Sequence, residues 1–81
     1  MPSNAAVVAA SAAFRTLVQK VYGIRVDDGA EQSTLYDLGA GVGNLINTVG
    51  QDSAAFKKAE AEYARIVPAW TAFCDARKAA E

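Results

Sequence analysis

Residues 35–49 read Leu-Tyr-Asp-Leu-Gly-Ala-Gly-Val-Gly-Asn-Leu-Ile-Asn-Thr-Val, and the fold turns on whether this stretch is helix or strand. Its apolar residues Leu35, Leu38, Val42, Leu45, Ile46 and Val49 recur every three or four positions, the period of an amphipathic helix. Asp37, Asn44, Asn47 and Thr48 fall on the opposite face, and Gly50 supplies a stop. Against this stand Gly39, Gly41 and Gly43, each costing about 1 kcal/mol relative to alanine inside a helix. Together they forfeit roughly 3 kcal/mol, a large share of the net stability of so short a chain. Gly39 and Gly43, four apart on one edge of the stripe, make a flat groove that lets another helix approach closely. The reading adopted is a helix whose groove packs on an alanine-rich first helix. The alternatives are a partner helix in the groove, or a break into two short helices around residues 39–43.

Toward the N-terminus, Val7, Ala10, Phe14, Leu17, Val18 and Val21 form a second stripe at helical spacing, predicting a helix over 4–22. Ser3 is its expected N-cap, and Gly23 suits the left-handed position after its last turn, with Ile24 folding back onto Val18. The back of this helix, with Ala5, Ala9, Ala12 and Ala13, is smooth; Val8 lies off the stripe and, with Tyr22 and Tyr36, is a modest interface candidate. Residues 23–29 form a connector. Asp28 followed by Glu31 fits a capping box that would start the second helix near Gly29, with Ser33 as a rival cap. Asp27, Asp28 and Glu31 lack the ligand alternation of a calcium loop and read as capping and solvated acids.

Toward the C-terminus, Asp52 is the expected cap of a third helix. Its stripe of Phe56, Ala59, Tyr63, Ile66, Val67, Trp70, Phe73 and Cys74 keeps one phase through Pro68. An interior proline costs about 3 kcal/mol, but Pro68 lies on the wet side, where an outward bend suits a helix curving over a core. Two outcomes stay open: one kinked helix, or two hinged near Val67. Lys58 with Glu62, Glu62 with Arg65, and Asp75 with Lys78 read as helix-surface ion pairs. The expected fold is a small all-α, three-helix antiparallel bundle in up-down-up order, four-helix if broken at Pro68, spanning residues 1–81 as one domain. The third helix is the longest, so its Trp70–Phe73 end would overhang, fold back or meet another chain.

Composition narrows the function. With 81 residues the chain is short for a nucleotide or dinucleotide fold, which needs several βα units. Eight basic and nine acidic residues are interspersed, giving neither the basic stripe of a nucleic-acid binder nor the charge of a DNA mimic. There is no histidine and one cysteine, Cys74, so the usual base for a nucleophile and the usual metal ligands are missing. Cys74 reads as buried filler. The apolar run 5–14 has no basic residue before it and passes into an amphipathic pattern at Arg15, so it reads as helix and not as a secretory signal. No window is apolar enough to span a membrane, and a cytoplasmic setting is the default.

The string Tyr36-Asp37-Leu38-Gly39-Ala40-Gly41-Val42-Gly43 resembles the first motif of class I S-adenosylmethionine-dependent methyltransferases, D-L-G-x-G-x-G. That resemblance covers eight residues and implies a strand, a glycine loop against the cofactor, and a helix. The family also needs a multi-stranded sheet and an acid ending its second strand, whereas Glu60 and Glu62 fall within a predicted helix. The reading is therefore a non-catalytic protein–protein interaction module, without cofactor, metal or catalytic residues, that serves as a small adaptor, inhibitor or accessory subunit. The expected contact residues are Gly39, Gly43, Tyr36, Trp70 and Phe73, and a homodimer is a natural way to cover the aromatic overhang. A small-molecule or cofactor binder using residues 37–43 is the alternative.

Overall fold

The structure is a computed structural model and describes residues 4–81. The expected cap Ser3 lies outside the described residues. Three helices follow in order, α1 (Asn4–Tyr22), α2 (Glu31–Val49) and α3 (Ala54–Ala79), with no strand among the described residues. α2 runs unbroken through Gly39, Gly41 and Gly43, so the strand and loop that a methyltransferase motif requires are not formed. α3 runs unbroken through Pro68, and the two-helix alternative falls. Pro68 is exposed while Ile66, two residues earlier, is fully buried, so the missing donor sits on the solvent side as the spacing predicts.

α1 stops where glycine permits it. Gly23 has φ +72° and its N–H donates to the Gln19 carbonyl at 2.8 Å. Ile24 does not return to Val18 and stays 41% exposed; Val26 takes the buried place, joining Phe14, Val18, Leu35 and Ile66 in one core cluster. The difference arises because Val26 lies farther back along the connector, where all three helices meet. The cap of α3 also shifts by one residue. Ser53 holds it, its Oγ accepting from the Phe56 N–H at 3.1 Å, so Asp52 is left exposed.

The pairings set the topology. Phe14 stacks edge-on against Trp70 with ring centroids 5.5 Å apart, Tyr22 lies beside Glu62 and Tyr63, and Val7 and Val8 share a cleft with Phe73 and Arg77. Ascending α1 therefore means descending α3. Likewise Glu31 and Gln32 share that cleft, and Gly39 lies against Tyr63, so α3 is antiparallel to α2 as well. α1 and α2 then point the same way, which departs from up-down-up order. The connector explains this: returning from Tyr22 to the level of Ser11 covers about 16 Å of helix. Eight residues of extended chain can span about 26 Å. A link that long does not force the next helix to reverse.

This topology relocates two expected features. α1 packs chiefly on α3 and least on α2, so the α2 glycines do not meet the alanine face of α1. Ala5, Ala9 and Ala13 are exposed, and Gly39 instead admits the Tyr63 ring; a Cβ there would lie 2.9 Å from Tyr63 Oη. Gly43 has nothing within 4 Å of such an atom. Nor does Trp70 overhang. Because α1 ends level with Glu62 and Tyr63, it is the α2–α3 hairpin that projects, leaving Ile46 45% and Val49 50% exposed around a buried Phe56. The molecule measures 47 × 21 × 17 Å.

Candidate functional site

The densest polar arrangement lies where α2 begins. Gly29, at φ +95°, aims its N–H at the Glu31 carboxylate and donates to Oε1 at 2.8 Å and Oε2 at 3.1 Å. Ser11 Oγ donates to Glu31 Oε2 at 2.9 Å, and Arg15 Nε stands 3.5 Å from the same oxygen. Ser11 and Glu31 are both buried. Only the glutamate half of the expected capping box exists: Asp28 is exposed, Ala30 precedes the helix without a side-chain cap, and Ser33 lies inside the first turn. Burial pushes the Glu31 carboxyl up. Hydrogen bonds from its own backbone, Ser11 and Gly29, together with the Arg15 charge, outweigh that and hold it below the usual carboxylate range.

Sequence reasoning gave Glu31 a capping role among solvated acids, not a buried place, and assigned nothing to Ser11 or Arg15. The available signal was slight: a serine within an apolar run, one turn before an arginine, on the edge of a core stripe.

Beside this node is a cleft of about 320 Å³, bounded by Val7 and Val8 of α1, Asp28 and Gln32 around the start of α2, and Phe73 and Arg77 of α3. The Arg77 guanidinium carbon sits 4.4 Å from the Phe73 ring centroid and 5.5 Å from that of Trp70. Its Nη2 donates to Cys74 Sγ at 3.7 Å, a long contact to a weak acceptor. Cys74 is half-buried. Among the described residues two ion pairs form, Arg15–Glu31 and the exposed Arg25–Asp27, so Arg77 has no carboxylate within 4.0 Å. The expected pairs Lys58–Glu62, Glu62–Arg65 and Asp75–Lys78 are not made, in keeping with how little exposed helix pairs gain over hydration.

The expected contact residues do not form one patch. Trp70 and Phe73 meet edge to face, 5.7 Å apart; Trp70 is half-buried and Phe73 is 7% exposed as part of the cleft. Gly39 is covered by Tyr63, about 10 Å along α3 from Trp70. Tyr36, at 64% exposed, and the open Gly43 stand on the outer face of α2. Among the described residues no group of three His, Cys, Asp or Glu side chains could hold a metal ion, and no helix is long and apolar enough to cross a membrane. No family model, curated protein or solved structure matches the chain.

Proposed function

We propose that the chain is a non-catalytic protein-interaction module, a small adaptor, inhibitor or accessory subunit that presents helical surface to a larger protein or to a second copy of itself in the cytoplasm. One observation carries this reading. The outer face of α2 is almost without charge: Asp37 is its single exposed ionisable carboxylate, no lysine or arginine occurs in the helix, and Tyr36, Ala40, Gly43, Asn44 and Asn47 are open to solvent. Solvated helix faces ordinarily carry charge, as the exposed Lys57, Lys58, Glu60 and Arg65 of α3 do. An uncharged face of small residues around a tyrosine favours contact with another protein. Catalysis is disfavoured because the one serine–carboxylate pair among the described residues is buried, and a carboxylate held below its usual range is a weak base.

The test is site-specific photo-crosslinking in producing cells. A photoreactive phenylalanine analogue replaces Tyr36 or Asn47 on α2, with Lys57 and Arg65 on α3 as controls. A discrete adduct from the α2 positions and none from the controls is expected. Equal labelling from both helices, or no adduct from α2, removes the reading.

A further inference from the structure

The geometry points to the cleft between α1, the start of α2 and the end of α3 as a docking site for an acidic peptide segment, one carboxylate beside an aliphatic side chain. This rests on reading the chain as a protein-binding module and adds the site and the chemistry of the segment. Of the charged groups that border the cleft, Arg15 and Glu31 satisfy each other at 3.5 Å. Arg77 is exposed and has no carboxylate within 4.0 Å among the described residues, and its guanidinium carbon lies 4.4 Å from the Phe73 ring centroid and 5.5 Å from that of Trp70. A guanidinium held near aromatic rings still offers N–H donors to solvent, and a carboxylate meets them in a forked pair.

The neighbouring wall is apolar, with Val7, Val8 at 64% exposure and the Phe73 ring. A volume of about 320 Å³ is at the small end of binding sites and suits one or two side chains. Asp28 stands on the same cleft and repels anions, so a singly charged carboxylate is preferred over a doubly charged phosphate.

Trp70 is the chain's sole tryptophan and lies beside Arg77, so its fluorescence reports on the cleft. The full chain is titrated at low salt with N-acetyl-leucyl-glutamyl amide, with the glutaminyl counterpart, and with phenyl phosphate. A saturable change with a Kd of about 1 mM or tighter is expected for the acidic peptide. Binding should be about tenfold weaker for the neutral peptide and for Arg77→Gln, and tighter for Asp28→Asn, with circular dichroism checking that both variants fold. No saturation in the wild type, equal binding of both peptides, or an Arg77→Gln chain that binds undiminished overturns the proposal. Preference for phenyl phosphate overturns the choice of ligand. If the cleft fails while Tyr36 still cross-links, the module reading survives alone; a cleft that binds without any cross-link keeps the site and discards the α2 face.

Discussion

Ser11 Oγ and Glu31 Oε2, twenty residues apart in the chain, lie 2.9 Å from one another and are both shielded from solvent. This bond crosses between the two helices that otherwise touch least. A buried carboxylate that loses a donor keeps its desolvation penalty, so the bond matters more for what its absence leaves behind than for its own strength. Ser11→Ala is expected to destabilise the chain by about 1–3 kcal/mol. In the Glu31→Gln background the same change should cost clearly less, because no buried charge remains. Urea unfolding of the four chains measures the coupling; additive losses would show that Ser11 acts through packing alone.

Glu31 also sets an acid dependence. Its folded-state pKa lies below the ordinary 4.5, so its stabilising contribution is complete above that value and is lost as pH falls from there through the depressed one. Unfolding free energy should be level from neutral pH down to about 5 and then decline. Glu31→Gln should be less stable at neutral pH and show a shallower acid limb. A variant whose acid limb parallels the wild type would place the sensitive carboxylate elsewhere.

The two groove glycines should behave as opposites. A methyl at Gly43 meets nothing within 4 Å, so Gly43→Ala gains helix propensity and raises stability by about 1 kcal/mol. At Gly39 the same methyl falls 2.9 Å from Tyr63 Oη and 3.3 Å from Tyr63 Cζ, so the ring must move before that gain is realised. Gly39→Ala is expected to gain less than Gly43→Ala or to lose stability, and Tyr63→Phe should narrow the difference. Thermal melts of the three single variants and the Gly39→Ala, Tyr63→Phe double variant decide it. Equal gains at the two glycines would mean that Tyr63 does not rest on α2.

The helices themselves were legible because a 3.6-residue period survives glycine and proline interruptions: Leu35, Leu38 and Val42 hold their phase across Gly39 and Gly41, and Ile66 and Phe73 hold theirs across Pro68. What period cannot convey is which helix fills a groove. The spacing of Gly39 and Gly43 announces a close approach, but the approaching group is Tyr63 of α3, selected by a connector whose length lets α2 run alongside α1. The polar node escaped for a related reason. Glu31 sits in a chain position that solvated caps and buried acids share, and only the proximity of Ser11 and Arg15 separates them. Val26 was hidden because a buried residue in irregular backbone has no period to betray it.

Tyr22 supplies the last prediction. Its hydroxyl is buried with no hydrogen-bond partner, and burial, followed by the charges of Glu62 and Tyr63, raises its pKa above the ordinary 10.0. An unpaired buried hydroxyl is a desolvation loss without return, and removing it leaves the ring packing intact. Tyr22→Phe is expected to be neutral or to stabilise by about 1 kcal/mol in urea unfolding at pH 7. Sign matters at the alkaline end. A folded pKa above the unfolded one means that the unfolded phenol ionises first, so stability falls as pH rises past 10 toward the folded value. The phenylalanine chain should lose less stability than the wild type over that interval. A Tyr22→Phe chain less stable by more than about 1 kcal/mol at pH 7 would show that the hydroxyl has a partner in solution.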